Sequence, residues 1–230
     1  MLELDGIEIT QGSFRLAADL RVPQGARVAV MGPSGAGKST LLGAIAGFVP
    51  LARGEIRWQG ARIDGLDPAR RPLSLLFQDH NLLPHLSVFD NVALGVSPGL
   101  RLNPGQRAAV MQALRDTGLD GLEARRPGQL SGGQIGRAGL ARVLLRARPL
   151  LLLDEPFAAL GPALKAQMLD LVGRIVAQTG ATLLMITHDP ADARRLCDLT
   201  LVVADGIAAP PAPTAALLAD PPPALAAYLG

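Results

Sequence analysis

Two hydrophobic patterns alternate along this chain and predict two kinds of strand. Apolar and polar side chains alternate from Phe14 to Val22, and apolar residues flank an expected turn at Asp5-Gly6. This alternation predicts antiparallel strands with one buried face. Short continuous apolar runs predict strands that are buried on both faces. These runs are Arg27–Met31, Leu73–Phe77, Leu150–Leu153, Ala181–Thr187 and Leu199–Val203.

The middle of the chain has a helical pattern instead. From Ser87 to about Arg148 the apolar residues recur at helical spacing, and Gly and Pro interrupt them. The interruptions fall at Pro98-Gly99, Asn103-Pro104-Gly105 and Pro127-Gly128. We expect one helix over residues 108–114 and another from Leu130 to about Ala147. The pattern therefore predicts an α/β fold with an inserted helical segment.

After Leu150 strands and helices alternate again, and a helix from Pro162 to Gln178 is expected to close at Gly180. Residues 208–224 are rich in Ala and Pro. This composition predicts a tail with little regular structure.

A glycine-rich stretch, Gly32–Thr40 or GPSGAGKST, follows the expected strand Arg27–Met31 and precedes an apolar helical run. A strand, a glycine loop and a helix in this order are typical of a phosphate-binding loop. Backbone N–H groups and the positive end of the helix bind the anion there. We expect Lys38 to reach the β- and γ-phosphates and the Ser39 hydroxyl to hold Mg²⁺. The predicted nucleotide-binding residues are Gly32, Pro33, Ser34, Gly35, Ala36, Gly37, Lys38, Ser39, Thr40 and Gln78.

The lysine content of the chain favours a phosphate-binding loop over a glycine turn that matches the motif by chance. The chain has 22 basic residues, and only Lys38 and Lys165 among them are lysines. A compact ammonium fits inside a phosphate cradle where a planar guanidinium is a poor substitute.

Polar residues are predicted to meet at the carboxyl ends of several strands, where open α/β sheets bind ligands. Asp154 and Glu155 follow one apolar run, His188 follows another, and Gln78 follows a third. We expect Ser39, Gln78 and Asp154 to hold Mg²⁺, the last through water. Glu155 and His188 are the predicted catalytic residues, with Glu155 orienting or deprotonating a water. His80 and His85 have no acid or Cys at metal spacing, so we expect them to be loop residues.

Charge and cysteine content limit the classes of partner. The net charge is +2, but residues 98–148 carry nine arginines and three acids, a net of +6. That segment has no aromatic residues for base stacking, so we expect no nucleic-acid partner. The one cysteine is consistent with a reducing compartment. The start of the chain lacks the pattern of a signal peptide, and no apolar run reaches the roughly 18–20 residues of a membrane span.

Five motifs in this order resemble the ATP-binding subunits of ABC transporters. They are GPSGAGKST, Phe77-Gln78, Leu130-Ser131-Gly132-Gly133-Gln134, the LLLLDEP run at residues 150–156, and Thr187-His188-Asp189. The resemblance covers essentially the whole chain. It implies a P-loop NTPase fold: a RecA-like α/β core sheet at about 1–78 and 149–207 with an antiparallel β region. It also implies an ABC-type α-helical subdomain at about 79–148, followed by the Ala/Pro-rich tail at about 208–230.

The resemblance further implies ATP and Mg²⁺ as cofactors and a head-to-tail dimer that encloses two ATP molecules. The signature residues Ser131, Gly132, Gly133 and Gln134 would act in trans on the nucleotide of the partner subunit. Transmembrane permease subunits would contact residues 79–95, and a periplasmic substrate-binding protein would act indirectly. The expected location is the cytoplasmic face of the inner membrane, as a peripheral subunit.

Four runs are similar to the ATP-binding subunits of thiamine importers. They are residues 70–78, 81–86, 97–103 and 202–206. This similarity implies thiamine as the transported molecule, with polyamine, iron and molybdate importers as alternatives.

The chain departs from the family pattern at three places. Residues 10–13 lack an aromatic for adenine, Ile135-Gly136 replaces the residues that usually follow the signature, and Gly161 replaces an Asp that couples the two sites of the dimer. We therefore expect ATP hydrolysis that is slow or poorly coupled.

Three other classes of protein remain as alternatives. A P-loop kinase or nucleotide switch would share the phosphate loop but would have no use for the signature helix. An ABC protein acting on nucleic acid usually carries a coiled coil or tandem ATPase halves. A nucleotide-dependent clamp with weak hydrolysis remains open because of Gly161.

Overall fold

The computed structural model describes residues 1–78 and 81–229. Within these residues eleven strands form one sheet, ordered β5-β4-β1-β2-β10-β9-β3-β8-β7-β6, with β11 paired to β9. The strands are β1 Leu2–Gln11, β2 Phe14–Val22, β3 Arg27–Met31, β4 Arg53–Trp58, β5 Ala61–Arg62, β6 Leu73–Leu76, β7 Leu150–Asp154, β8 Thr182–Ile186, β9 Leu199–Ala204, β10 Ile207–Ala208 and β11 Ala212–Pro213.

One half of the sheet is antiparallel, as the alternating pattern predicts. β1 pairs antiparallel with both β2 and β4, and β5 pairs antiparallel with β4. The expected turn at Asp5-Gly6 is wrong, because β1 runs through these residues with a register shift between Leu4 and Ile7. Gly6 has a φ of 54° there, so it accommodates a bulge rather than a chain reversal.

The other half is parallel and carries the apolar runs. β9, β3, β8, β7 and β6 pair side by side in the same direction. Their side chains alternate between two hydrophobic clusters, with Val28 and Val30 on one face and Ala29 and Met31 on the other. A strand buried on both faces needs such a continuous apolar run.

Helices cover both faces of the parallel half. The cluster on one face includes Leu41 and Ile45 of α1 (Lys38–Ala46). The cluster on the other face includes residues of α5 (Pro162–Thr179) and of α6 (Pro190–Leu196). The predicted end of α5 is confirmed, since Gly180 is its C-cap in the left-handed conformation with φ 65°.

Residues 88–145 form three helices around a separate apolar cluster that includes Val92, Leu114 and Ala138. The helices are α2 Val88–Ala93, α3 Pro104–Asp116 and α4 Gly132–Leu145. α3 begins four residues before the expected start at 108. Asn103 and Gln106 form a capping box and Pro104 occupies the first turn, so the expected interruption is a helix start.

The prediction of little structure after residue 208 is wrong. The chain forms α7 (Thr214–Ala219) and α8 (Pro223–Leu229) after the short strands β10 and β11. Leu218 is 8% exposed and Leu225 is 0% exposed, and both join the same cluster as α5 and α6. Alanine favours helix and proline is tolerated in the first turn, so an Ala/Pro composition is compatible with short helices.

Candidate functional site

The phosphate loop lies between β3 and α1 and has a strained backbone that only glycine accommodates easily. Gly32, Gly35 and Gly37 have φ values of 144°, 76° and 100°. A Cβ atom on Gly32 would overlap the carbonyl oxygen of Val203 in β9. The glycines of the motif are therefore required by backbone geometry and by close packing.

Lys38 is held at the start of α1 by the loop itself. Its Nζ donates hydrogen bonds to the carbonyl oxygens of Gly32 at 2.7 Å and Pro33 at 2.8 Å. Burial lowers the pKa of Lys38, although the negative charges of Glu155 and Asp154 act in the opposite direction. The ammonium is thus held by two backbone carbonyls of the loop, close enough to two carboxylates to feel their charge.

Phe14 packs against the loop from the antiparallel half of the sheet. A Cβ atom on Gly37 would lie 2.5 Å from its Cζ atom. Phe14 is partly buried against the core cluster that includes Leu16 and Leu41. Its role in the structure is therefore to pack against the phosphate loop.

The carboxyl ends of three neighbouring strands bring the acidic residues and His188 together. Asp154 in β7 is paired in register with Ile186 in β8, and Val30 in β3 is paired with the same residue. The Glu155 amide donates to the carbonyl of Ile186 at 3.3 Å. Glu155 has a φ of 45°, an uncommon conformation for a residue with a side chain.

Glu155 and His188 form a close pair. The distance from His188 Nδ1 to Glu155 Oε2 is 3.7 Å, and both side chains are partly accessible, at 58% and 25%. A carboxylate and an imidazole at this separation are suitable for holding and polarising a single water.

A cavity of about 450 Å³ lies between the loop and this pair. It is lined by Ser34, Gly35, Gly37, Lys38, Ser39, Thr40, Gln78, Glu155, His188 and Tyr228. Most of the predicted nucleotide-binding residues therefore share one cavity with both predicted catalytic residues. Gly32, Pro33 and Asp154 are not among the lining residues: Gly32 and Pro33 accept hydrogen bonds from Lys38, and Asp154 is 7% exposed.

The oxygen donors around the cavity fit Mg²⁺. Ser39 offers a hydroxyl and Gln78 an amide, and both line the cavity. Asp154 lies near enough for its charge to act on Lys38. Within the described residues no group of three or more His, Cys, Asp or Glu could hold a metal ion. Mg²⁺ keeps several waters and is usually held by few protein oxygens together with phosphate, which suits this set.

The signature residues lie apart from this cavity, at the start of α4. Ser131 caps α4: its hydroxyl accepts from the Gln134 amide at 3.3 Å, and Gln134 Oε1 accepts from the Ser131 amide at 2.8 Å. Ser131 and Gly132 are exposed. Within the described residues none of the four signature residues lines the phosphate-loop cavity. A capped helix start that faces outward can serve a ligand on another molecule.

Two residues near the site are not predicted from the sequence motifs. Lys165 in α5 forms ion pairs with Asp189 and, at 2.9 Å, with Asp192, and so ties α5 to the segment that carries His188. Tyr228 in α8 lines the cavity. The sequence feature that points to these two residues is the rarity of their types, since the chain has two lysines and one tyrosine.

Asp79 and His80, which belong to the segment expected to contact a permease, lie outside the described residues. His85 is in the loop before α2, as predicted. The fully buried Asn91 holds that loop: it accepts from the Leu83 amide at 2.7 Å and donates to the carbonyls of Leu83, Leu86 and Ser87.

A phosphate loop, an acidic strand end and a histidine on one parallel sheet edge define a P-loop nucleotide hydrolase. The family model described as "ABC transporter" matches residues 17–158, more than half of the chain. The chain belongs to the ABC transporter family.

Curated relatives agree with this assignment. The chain is 63% identical over 230 residues to the thiamine import ATP-binding protein ThiQ of Cereibacter sphaeroides, covering 100% of both. It is 48% identical over 206 residues to ThiQ of Escherichia coli, covering 90% of this chain and 89% of that protein.

Solved structures show the same fold. The dimeric ATP-binding cassette MJ0796, in a post-hydrolysis state bound to ADP and Pi, superposes with a TM-score of 0.83 at 27% identity. The match covers 93% of this chain and 99% of that one. The expected fold class is thus confirmed. Among the described residues no helix is long and apolar enough to cross a membrane.

Proposed function

We propose that this chain is the ATP-hydrolysing subunit of a bacterial ABC importer for thiamine. One observation carries the proposal: the phosphate loop, Glu155 and His188 line one cavity, while the signature lies outside it with Ser131 and Gly132 exposed. This division fits a subunit that completes the site of a second copy.

The phosphate loop would bind the triphosphate of ATP. The backbone donors at Gly35 and Gly37 and the start of α1 favour an anion there. Lys38 now donates to the carbonyls of Gly32 and Pro33, and on binding it would donate to oxygens of the β- and γ-phosphates instead of one or both of them.

Ser39, Gln78 and Asp154 would hold Mg²⁺ beside the phosphates. When bound, the ion neutralises charge on the phosphate oxygens and orients them. Ser39 and Gln78 supply neutral oxygens at the cavity wall, and Asp154 supplies a buried carboxylate below them.

Glu155 would orient a water toward the γ-phosphate and accept its proton as the new P–O bond forms. The bond between the γ-phosphorus and the oxygen that bridges to the β-phosphate would break in the same displacement, which leaves ADP and phosphate. His188, 3.7 Å from that carboxylate, would contact the γ-phosphate and stabilise the developing charge. Lys165 holds the segment that carries His188 through Asp189 and Asp192.

A second copy would complete the site. The exposed helix start at Ser131 and Gly132 offers N–H groups and a positive dipole end to the γ-phosphate of the partner. ATP would then hold a head-to-tail dimer together, and hydrolysis would release it. The dimeric MJ0796 cassettes support the formation of a dimer.

The permease would dock on the face near residues 79–95. Leu83 is 40% exposed and Phe48 is 57% exposed, and the Phe48 ring packs edge-on against Phe77. Exposed apolar side chains are typical of a partner surface. The subunit would therefore lie at the cytoplasmic face of the inner membrane, with the periplasmic binding protein acting through the permease.

Thiamine as the transported molecule is supported by similarity to ThiQ proteins at 63% and 48% identity. The substrate does not contact this subunit, so the test needs the assembled transporter. We would reconstitute the chain with its permease and binding protein in vesicles and measure ATP hydrolysis. Thiamine should raise the rate, and putrescine, ferric iron and molybdate at equal concentration should not. Stimulation by one of these instead of thiamine would contradict the assignment.

A further inference from the structure

The C-terminal helix α8 is part of the nucleotide site, and no motif of the chain accounts for it. α8 covers Pro223–Leu229, and its Leu225 is 0% exposed in the cluster that also contains Met31 and Val202. Tyr228 packs against the same cluster three residues later. A buried anchor therefore fixes the position of the tyrosine.

The Tyr228 ring lies beside Lys38, at the end of the cavity where the γ-phosphate would bind. Its centroid is 5.9 Å from Lys38 Nζ, within the range of a cation–π contact. The same cavity wall includes Glu155 and His188. Phe14 and residues 10–13, where adenine is expected, are not part of that wall within the described residues.

The phenol is neutral in this position. Burial raises the pKa of Tyr228, and the negative charge of Glu155 raises it further. A neutral ring over an ammonium partly replaces the interactions that an anion would make with Lys38.

The ring lines the part of the cavity that a closed dimer would use. The signature of a second copy must approach the γ-phosphate, and this phosphate must itself lie near Lys38, Glu155 and His188. The γ-phosphate and the signature of a second copy would therefore have to enter the part of the cavity that the Tyr228 ring lines.

We propose that Tyr228 gates the nucleotide site: α8 holds its ring at the γ-phosphate end, and ATP with the signature of a second copy displaces it. This proposal rests on the proposed ATPase function. The gate acts on the γ-phosphate, so it penalises ATP more than ADP. If only a fraction of the molecules has the ring displaced, the apparent affinity for ATP is the intrinsic affinity multiplied by that fraction.

The test compares Tyr228→Ala and Tyr228→Phe in a Glu155→Gln background, which slows turnover. Calorimetry gives the Kd for ATP and for ADP, and sedimentation gives the ATP concentration at half-maximal dimer. Tyr228→Ala should tighten ATP binding and lower that concentration by about threefold or more, with a smaller change for ADP. Tyr228→Phe keeps the ring and should behave as the parent does.

Other outcomes separate the two proposals. The gate would be overturned if the Glu155→Gln parent and its two Tyr228 variants bind ATP and dimerise equally, or if Tyr228→Ala does so more weakly. The proposed ATPase function would not be affected by that result. A parent that binds no ATP would overturn the proposed function, and the gate with it.

A second measurement does not depend on a substitution. Tyr228 is the one tyrosine of the chain, so ring-labelled tyrosine gives a single set of NMR signals. Adding a non-hydrolysable ATP analogue with Mg²⁺ should shift these signals toward those of an exposed ring, and ADP should shift them less. Identical spectra in the free and ATP-analogue states would overturn the proposal.

Discussion

At the scale of single residues, Arg71 supports the phosphate loop from the far end of α1. Arg71 is 4% exposed, and its guanidinium donates to the carbonyls of Ala44 and Ile45 at 2.8 and 2.7 Å. It also donates to the carbonyls of Leu66 and Asp64. A cation at a helix C-terminus satisfies orphan carbonyls and opposes the negative end of the dipole.

Gly47 makes this contact possible. It caps α1 in the left-handed conformation with φ 91°, and a Cβ atom there would lie 2.7 Å from Arg71 Nε. The helix that presents Lys38 and Ser39 is therefore stabilised at its other end by a glycine and an arginine that belong to none of the five nucleotide-site motifs.

We predict that Arg71→Lys destabilises the chain by about 2–3 kcal/mol, because an ammonium cannot reach four carbonyls in different directions. Chemical denaturation measures the change. The matched control is Arg70→Ala at the exposed neighbouring position, which should stay within about 0.5 kcal/mol. Equal stability of the two variants would contradict a supporting role for Arg71.

The motif residues could be predicted because each role needs a particular atom or backbone angle. The glycines at 32, 35 and 37 reflect positive φ angles, and Lys38 reflects the compact ammonium that the loop surrounds. Arg71 and Tyr228 could not be predicted in the same way, since their partners are backbone groups or side chains far away in sequence.

At the scale of elements, the loop between β7 and α5 carries the departure at Gly161. Gly161 is the N-cap of α5, with no side-chain cap, and has extended dihedrals of φ −66° and ψ 157°. A Cβ atom there would meet nothing within 4 Å. A larger side chain therefore fits at this position without strain.

We predict that Gly161→Asp raises ATP turnover or the cooperativity between sites, because it restores a carboxylate at the expected dimer interface. The rate as a function of ATP concentration gives both quantities. Gly161→Asn is the matched control, since it caps the helix about as well but carries no charge. Turnover and cooperativity that remain unchanged in Gly161→Asp would count against slow or uncoupled hydrolysis.

The hydrophobic pattern predicts strands well where both faces of the strand are buried or where buried and exposed residues alternate strictly along it. The runs at β3, β7 and β8 are strands because they lie between two helix layers. The pattern misses α7 and α8, where alanines give weak contrast and two leucines, Leu218 and Leu225, provide the buried contacts. It also places the start of α3 too late, because a proline in the first turn of a helix resembles an interruption of the pattern.

At the scale of the whole molecule, the sheet order brings distant motifs to one edge. β3 lies between β8 and β9, and β7 lies next to β8, so residues 38, 155 and 188 meet although more than 30 positions separate each pair in sequence. The signature at Ser131 remains outside this assembly. The site is thus divided between two surfaces, which a dimer would bring together.

ATP hydrolysis and dimerisation of the wild-type chain and of Glu155→Gln test the central claim most directly. We expect turnover in the wild type, loss of turnover in Glu155→Gln, and a dimer of the variant that forms in ATP and not in ADP. Wild-type turnover that persists in Glu155→Gln, or a variant that stays monomeric in saturating ATP, would contradict the shared-site mechanism.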